Sequence, residues 1–293
     1  MGEVTVHIKF EDVTYTYMLG SPFEKRALNG VDVSISSGSF TAVVGSTGSG
    51  KSTLMQHING LLVPTSGQVT VGSTVLQPGV KRKVIKPLRK KVGMVFQYPE
   101  HQLFGSTVEE DILFGPIQHG MSVERVKRRL PELLNLVGLH EDYLHESPFQ
   151  LSGGQMRRVA IAGVLATEPE VLILDEPAAG LDPSGHRALL QLFRSWHEEH
   201  GLTTVLVTHD MEDAANYADD VIVMNEGSVK LKGKPIDVFR EVESLTAMNL
   251  AVPPAVRIGM ALRRSNWSID VTNQSSEQLA EQLMTNWPEK GGH

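Results

Sequence analysis

The chain has 293 residues, a net charge of −7 at neutral pH and no cysteine. These values exclude disulfides and thiolate chemistry, indicate a reducing compartment, and argue against a surface built mainly to bind nucleic acid. Because the sequence also lacks a run of about 18 apolar residues and the apolar core of a signal peptide, we expect a soluble, intracellular protein.

Strand and helix patterns alternate along most of the chain. Strands are predicted at residues 40–44, 92–96, 171–175, 203–208 and 220–224, and helices at 52–62, 123–138, 154–166 and 187–200. Several of the strands are apolar on both faces, which is typical of a largely parallel sheet covered by helices. Residues 1–40 and 67–79 instead predict a small antiparallel sheet, and a helical lobe is expected over about 100–168.

The pattern weakens after Pro235, where two helices are predicted at 255–264 and 276–287. We therefore expect one domain at 1–235 and a helical appendage at 236–293.

The octapeptide GSTGSGKS, residues 45–52, lies between a predicted strand and a predicted helix. This is the context of a phosphate-binding loop, in which glycines let successive backbone N–H groups point at phosphate oxygens. Lys51 would reach the β- and γ-phosphates, and Ser52 would ligate Mg²⁺. The alternative, a glycine-rich turn that binds nothing, is disfavoured by the strand and helix on either side. The predicted ATP-binding residues of the loop are Gly45, Ser46, Thr47, Gly48, Ser49, Gly50, Lys51, Ser52 and Thr53.

Two acids, Asp175 and Glu176, follow the apolar strand VLIL. A carboxylate at a strand end can hold Mg²⁺, and a second one can act as a general base on the attacking water. Taken alone, such a pair is more often a solvated strand end or a helix cap. Beside a phosphate loop, the catalytic interpretation is favoured.

The segment LSGGQ, residues 151–155, opens a second helix with anion-binding features, because Ser152 is a plausible N-cap and two glycines free backbone N–H groups. At this point the chain resembles the ATP-binding cassette (ABC) ATPases over roughly residues 4–235. The resemblance implies an α/β P-loop core with a mostly parallel sheet, a small antiparallel β-subdomain and an α-helical signature lobe. It also implies a head-to-tail dimer in which each ATP lies between one subunit's phosphate loop and the other's LSGGQ.

The same resemblance assigns roles to further residues. Tyr17 would stack on adenine, with Tyr15 as the competing candidate and an ordinary strand tyrosine as the alternative. Gln97 would sense Mg²⁺ and the attacking water, and His209 would hold Glu176, water and γ-phosphate together. The implied sets are Glu176, His209, Lys51 and Gln97 for catalysis, Ser52, Gln97 and Asp175 for Mg²⁺, and Ser152, Gly153, Gly154, Gln155 and Asp182 for the ATP of a partner subunit.

The segment QYPEHQLFGSTVEEDILFGP, residues 97–116, resembles the ATPases of energy-coupling factor (ECF) transporters, in the version of the second of their two non-identical ATPases. This part of an ABC ATPase meets the membrane subunit, so the resemblance implies a coupling surface. Its expected residues are Tyr98, Glu100, Gln102, Leu103 and Phe104. The alternative, that Leu103 and Phe104 pack into their own helical lobe, stays open. Gly115 and Pro116 are expected to break the chain.

Two other features have a weaker connection to function. The segment KRKVIKPLRKK, residues 81–91, carries seven basic residues in eleven. Contact with anionic lipid headgroups is one interpretation, but a solvated loop leading into the next strand is favoured. In the appendage, Leu279, Leu283 and Trp287 have helical spacing and predict a packed helix. The resemblance implies that this helix helps to hold two ATPases together.

The sequence thus predicts an ATPase that uses ATP and Mg²⁺ to power uptake of vitamins or transition-metal ions, bound peripherally to the cytoplasmic face of a prokaryotic membrane. The implied partners are a second, related ATPase, a transmembrane coupling subunit and substrate-binding membrane subunits, and no nucleic acid is expected. Two alternatives are the ATPase of a binding-protein-dependent importer or an exporter, and a non-transport ABC ATPase. A homodimer also stays open, because it is the general default.

Overall fold

The computed structural model describes residues 6–265 and 276–285 of the chain. Ten strands are described: β1 Ile8–Tyr17, β2 Lys25–Ile35, β3 Phe40–Gly45, β4 Ser66–Val71, β5 Thr74–Leu76, β6 Val92–Val95, β7 Val171–Asp175, β8 Thr203–Val207, β9 Asp220–Asn225 and β10 Ser228–Gly233. The described helices are α1 Lys51–Ile58, α2 Arg82–Lys91, α3 Val108–Gln118, α4 Val123–Lys127, α5 Leu130–Leu136, α6 Gly153–Leu165, α7 Pro183–His200, α8 Met211–Tyr217, α9 Pro235–Arg240, α10 Val242–Ala247, α11 Pro254–Arg264 and α12 Ser276–Thr285. Among these helices, none combines the length and the apolar composition that a bilayer span needs.

The large sheet has six strands in the order β10-β9-β3-β8-β7-β6. All neighbouring pairs are parallel except β9 with β10, which is an antiparallel hairpin at the edge. Strands β3, β6 and β8 are buried along their whole length, as their continuous apolar runs predict. Because the strands are parallel and in register, the carboxyl ends of β3, β6, β7 and β8 meet at one edge of the sheet.

The predicted antiparallel sheet is present and has the strand order β2-β1-β4-β5. One hydrophobic cluster joins its inward residues, such as Ile8 and Val69, to Leu54 of α1 and to Val43 and Val205 of the large sheet. A second cluster on the opposite face of the large sheet joins it to the helical lobe and to α7. The predicted fold class is therefore confirmed: a mostly parallel sheet lies between helices, beside a small antiparallel sheet and a helical lobe.

Residues 81–91 do not form the predicted solvated loop, because Arg82–Lys91 is the helix α2. Ile85 and Leu88 are buried and three residues apart, so one helical face is fixed to the protein while the charged side chains point outward. Because the segment is highly charged and only these two residues are buried, the sequence shows no clear helical pattern there.

Two prolines act differently from the sequence prediction. The predicted helix 123–138 is divided into α4 and α5, because Pro131 has no N–H to continue the hydrogen bonds of α4 and instead lies in the first turn of a new helix. Gly115 and Pro116 do not break the chain, since α3 continues to Gln118. Pro116 lies in the last turn, so only the end of the helix loses a backbone hydrogen bond, and the burial of its ring offsets part of that cost.

The C-terminal helices begin within the main core. Val238 and Phe239 of α9 and Leu245 of α10 share one hydrophobic cluster with Ala42 and Val44 of β3. Helices α11 and α12 make a small cluster of their own around Ala255 and Leu279, with Leu262 and Leu283 against it. Trp287 lies outside the described residues, and the domain boundary at residue 235 stays a prediction.

Candidate active site

The phosphate loop follows β3 at the edge where the parallel strands end. A Cβ at Gly45 would lie 2.3 Å from the carbonyl oxygen of Met224, so only glycine fits at this approach of β3 to β9. Gly50 has a φ of 102°, and its Cβ would lie 2.7 Å from the carbonyl oxygen of Ala27. These two close approaches let the loop turn tightly before α1 begins at Lys51.

The Lys51 ammonium group lies inside the phosphate loop. Its Nζ donates to the carbonyl oxygens of Gly45 at 2.8 Å and Ser46 at 3.0 Å. Burial lowers the pKa of Lys51, while the carboxylates of Glu176 and Asp175 oppose that effect. A cation held inside a loop at a helix start is the arrangement that binds a phosphate group.

Asp175, the last residue of β7, faces the start of α1. Its Oδ1 lies 3.4 Å from Oγ of Ser52, which donates to it. Burial raises the pKa of Asp175, and the Ser52 hydrogen bond partly opposes that shift. A carboxylate and a hydroxyl brought together beside a phosphate loop are oxygen donors that suit Mg²⁺.

The Glu176 carboxylate lies between two side chains from neighbouring strand ends. Gln97 Nε2 donates to Glu176 Oε2 at 3.2 Å, and His209 Nδ1 lies 3.2 Å from Glu176 Oε1. These three residues follow β6, β7 and β8, whose parallel register brings them to the same edge. The structure therefore places together the predicted general base and the two residues that the sequence predicts to assist it.

The LSGGQ segment forms a complete capping box at the start of α6. Ser152 Oγ accepts from the Gln155 backbone N–H, and Gln155 Oε1 accepts from the Ser152 backbone N–H. Gln155 Nε2 also donates to the hydroxyl of Tyr143. A Cβ at Gly153 or Gly154 would meet no described atom within 4 Å, so this face of the helix start is open.

Asp182 caps α7. Its Oδ2 accepts from the backbone N–H groups of Ser184 at 3.1 Å and Gly185 at 3.3 Å, and its side chain is otherwise exposed. That Asp182 helps to bind the ATP of a partner subunit stays a prediction.

Tyr17 and Tyr15 differ in their surroundings. The Tyr17 hydroxyl is 3.1 Å from Thr53 Oγ1, which lies on the helix that follows the phosphate loop. Tyr15 packs against the core cluster and makes an edge-to-face contact with His57. Since the Tyr15 ring packs against the hydrophobic core, the geometry favours Tyr17 as the residue that stacks on adenine.

The predicted coupling residues lie on a 3₁₀ turn, Pro99–Gln102, and directly before and after it. Tyr98 and Gln102 are exposed, and Phe104 is 61% exposed and makes an edge-to-face contact with Phe114. Leu103 is half-buried and packs against the helical lobe, as its alternative interpretation held, while it also lines a cavity of about 400 Å³. That cavity is a groove between β6, α3 and α6, and we call it the lobe groove; its apolar lining includes Leu61, Phe96, Leu103, Phe104, Phe114 and Val164.

Glu100 points inward. Its carboxylate makes a two-point contact with Arg157 of α6, with distances of 2.9 Å to Nε and 2.8 Å between Oε1 and the terminal nitrogen. The side chains are 13% and 7% exposed, respectively. Burial alone would raise the pKa of Glu100, but the hydrogen bonds from Arg157 and from a backbone N–H, together with the positive charge nearby, outweigh burial and lower the pKa. Arg157 also donates to the Ala179 carbonyl oxygen at 2.8 Å, so it connects the 3₁₀ turn to the loop after Glu176.

Sequence reasoning missed Arg157 and also a pair of residues behind the predicted catalytic residues. Arg157 lies four residues before the buried Ile161, and this helical spacing was the available signal that it faces inward. His186 Nε2 of α7 lies 2.8 Å from Oδ1 of Asp213 in α8, and Thr208 donates to Oδ2 of the same carboxylate. This pair fixes α8 next to the loop that carries His209, but its separation in sequence gives no signal.

Comparisons with known proteins agree with this geometry. The sequence profile of the ABC transporter family matches residues 28–179. A protein of Enterococcus faecalis named energy-coupling factor transporter ATP-binding protein EcfA2 is 52% identical over 284 residues, which cover 97% of this chain and 98% of the relative. The protein of the same name from Geobacillus kaustophilus is 57% identical over 257 residues, covering 88% and 89% of the two chains.

Two solved structures are similar in fold. CbiO1 from Clostridium perfringens, described as part of the ABC transporter complex cbiONQ, has a TM-score of 0.71 and 40% identity, covering 87% of this chain and 98% of its own. The ATP-binding cassette MJ0796, a dimer in a post-hydrolysis state with ADP and Pi, has a TM-score of 0.69 and 34% identity, covering 78% of this chain and 98% of its own.

Proposed function

From the premise that the chain belongs to the ABC transporter family, among the ATP-binding subunits of energy-coupling factor transporters, we propose how its residues turn ATP hydrolysis into uptake of a vitamin or a transition-metal ion. ATP hydrolysis coupled to transport is the activity of this family. The observation that carries the mechanism is the Glu176 carboxylate, held between Gln97 and His209 beside a phosphate loop.

The phosphate loop binds the triphosphate through its backbone N–H groups and the positive end of α1. Lys51 exchanges its bonds to the Gly45 and Ser46 carbonyl oxygens for bonds to the β- and γ-phosphates. Tyr17 stacks on the adenine, where a contact of this kind is worth about 1–3 kcal/mol. Ser52 and Asp175, with Gln97, would hold Mg²⁺, which when bound neutralises charge that develops on the phosphates.

Glu176 accepts a proton from the water that attacks the γ-phosphate. Its carboxylate is oriented by the Gln97 amide on one oxygen and by His209 on the other. His209 is exposed, so its ring can reach the γ-phosphate of ATP bound in front of it. Proton transfer of this kind contributes about 10²–10⁴ in rate.

A second ATPase completes each site. The open face of Gly153 and Gly154 leaves the backbone N–H groups at the start of α6 free to reach the γ-phosphate of ATP on a partner. Ser152, Gln155 and Asp182 line the same interface. The dimeric cassette MJ0796 supports this arrangement, and the name EcfA2 of the relatives supports a second, related ATPase as the partner.

The lobe groove receives a helical segment of a transmembrane coupling subunit. Its apolar lining and exposed aromatic residues suit an amphipathic helix. Arg157 relays movement at the groove to the catalytic loop, because it binds Glu100 on one side and the Ala179 carbonyl oxygen on the other. The chain is thereby held at the cytoplasmic face of the membrane, and separate substrate-binding membrane subunits select the cargo.

Replacing Glu176 with Gln tests this mechanism. Because the amide cannot accept the proton, the turnover at the ATP site that contains Glu176 is expected to fall by about 10²–10⁴ in the assembled transporter. The affinity for ATP should stay within a few-fold of the wild-type value, since the phosphate loop is unchanged. ATP hydrolysis and binding of a fluorescent nucleotide are measured in parallel.

The matched control is Glu132→Gln, the same change at an exposed glutamate of α5. It should leave both quantities unchanged. Full ATPase activity of Glu176→Gln in the assembled complex would show that Glu176 is not the general base.

A further inference from the structure

The outer face of α2 is a basic surface that the ATPase mechanism does not use. The segment carries seven cations, Lys81, Arg82, Lys83, Lys86, Arg89, Lys90 and Lys91. Five of them, Arg82, Lys83, Lys86, Arg89 and Lys90, line one cavity of about 620 Å³ together with Gln118 and His119 of the α3 end. We call this the α2 cavity. It is a local concentration of positive charge on a chain whose net charge is −7.

Most of these cations lack a counter-charge in the chain itself. Lys91 pairs with Glu170 at 3.0 Å. In the part of the chain that the structure describes, the other six have no carboxylate within ion-pairing distance; Arg89 and Lys90 instead donate to the backbone oxygens of Gly60 and His119. The ring nitrogen Nδ1 of His119 is also buried without a described hydrogen-bond partner. The α2 cavity is therefore rich in donors and poor in acceptors.

The helix places some of these charges where they are unfavourable. Its first turn contains no acidic residue and begins with Arg82 and Lys83 next to the positive end of the helix dipole. An anion at this end would relieve the repulsion, so the arrangement suits a ligand with a phosphate group better than it suits water.

The α2 cavity borders the lobe groove. Arg89 and His119 line both of them, so the two openings lie on neighbouring parts of one surface. In the proposed function, which this inference rests on, the lobe groove faces the membrane subunit. The basic surface then faces the same membrane, beside that subunit.

We propose that the α2 cavity and its cations bind the headgroups of anionic phospholipids and so orient the ATPase against the bilayer next to its membrane subunit. Long lysine and arginine side chains reach phosphate oxygens while their stems stay on the protein. Each cation near the surface raises the membrane partition coefficient of the protein roughly fivefold, and this effect weakens as the salt concentration increases. Val84 and Pro87 are exposed between the cations, and these two apolar side chains can contact the boundary between the lipid headgroups and the acyl chains.

The test is sedimentation of the purified full-length chain with vesicles, in the presence of MgADP so that the phosphate loop is occupied. Vesicles of phosphatidylcholine are compared with vesicles that contain about 30 mol% phosphatidylglycerol. We expect binding to the anionic vesicles only. In the variant Lys83→Gln/Lys86→Gln, the partition coefficient should fall about tenfold or more, because two headgroup contacts are lost.

The matched control is Lys230→Gln/Lys234→Gln, which removes the same charge from exposed positions on and after β10, at the opposite edge of the large sheet. It should bind like the wild type. Equal binding of all three proteins, or no binding by the wild type, would overturn the proposal. Full displacement by millimolar glycerol phosphate would identify a soluble phosphate compound as the ligand and overturn the lipid assignment.

Co-purification of the membrane subunit with both variants separates this inference from the proposed function. Retained co-purification with lost vesicle binding supports the lipid site alone. If the wild type fails to recover any membrane subunit, the proposed function is wrong, whatever the vesicles show. Loss of the membrane subunit from Lys83→Gln/Lys86→Gln, with vesicle binding unchanged, would mean that α2 contacts protein and not lipid.

Discussion

Glu176 has a φ of 46°, a left-handed conformation that costs a residue with a side chain about 1–3 kcal/mol. The surrounding backbone holds it there, because its N–H donates to the Val207 carbonyl oxygen and its own carbonyl accepts from Ala179. This conformation turns the carboxylate toward Gln97 and His209. The strain therefore lies at the residue that we propose to accept the proton.

His57, on the helix after the phosphate loop, makes the stability of the fold depend on pH. Its ring is fully buried, Nδ1 bonds to the Thr53 carbonyl oxygen, and Nε2 has no described partner. Burial lowers the pKa of His57 to about 4, although the Thr53 bond opposes the shift. Because this is below the unfolded value of about 6.5, the stabilisation from neutral His57 is present above pH ~6.5 and lost as the pH falls toward 4.

We predict that the free energy of unfolding falls by up to about 3 kcal/mol from this group between pH ~6.5 and 4. Denaturant unfolding at a series of pH values measures it. His57→Gln should flatten this part of the curve, whereas His7→Gln, a change at an exposed histidine, should leave it as in the wild type. The account of His57 is wrong if the wild type and His57→Gln lose stability in parallel.

At the scale of elements, the pair of Glu100 and Arg157 joins the 3₁₀ turn to α6. Removing one partner leaves the other charge buried, so Arg157→Ala is expected to lower the free energy of unfolding by about 3–5 kcal/mol. Glu100→Ala/Arg157→Ala should cost less than the sum of the single changes, because neither charge is left alone. Chemical denaturation of the four proteins gives the coupling energy.

Arg158→Ala is the neighbouring comparison, since Arg158 donates to the Val137 carbonyl oxygen instead of a carboxylate. It should show no coupling to Glu100→Ala. Additive effects of Glu100→Ala and Arg157→Ala would mean that the pair does not hold these elements together.

Local signals were sufficient for the elements that carry the nucleotide. The strand before Gly45, the loop and the helix at Lys51 have sequence patterns that depend on neighbouring residues alone, and β7 with Asp175 and Glu176 is similar. The positions of the phosphate loop and of the two acids at the end of β7 were therefore predictable. The ends of two helices were less predictable. The helix predicted at 52–62 ends at Ile58, because the chain turns at Gly60 with a φ of 67°. The helix predicted at 123–138 is interrupted after Lys127, where α4 ends.

Other features depend on contacts between distant residues. Two buried side chains, Ile85 and Leu88, turn a highly charged segment into a helix, and only the tertiary structure shows that they have a surface to cover. The Glu100–Arg157 and His186–Asp213 pairs join residues 57 and 27 positions apart. No periodic pattern reports such pairs, so sequence reasoning placed Glu100 on the surface and left Arg157 out.

At the scale of the whole molecule, the nucleotide edge and the lobe groove belong to one connected unit. The strand ends carry the proposed ATP site, the helical lobe carries both the groove and the LSGGQ start, and Arg157 spans from the 3₁₀ turn to the loop after Glu176. ATP-driven approach of a partner ATPase would therefore move the groove and the membrane subunit bound in it. We infer that the lobe groove is the site at which this ATPase binds the membrane subunit.

The most direct test is to purify the tagged chain from gently solubilised membranes of its own cell and to identify what accompanies it. We predict recovery of a second, related ATPase with a transmembrane coupling protein and small substrate-binding membrane proteins. Phe104→Ala/Phe114→Ala should lose the membrane proteins and keep the second ATPase, while Phe23→Ala, at an exposed phenylalanine between β1 and β2, should keep them all. Recovery of no membrane protein with the wild type, or full recovery with the groove variant, would contradict the account.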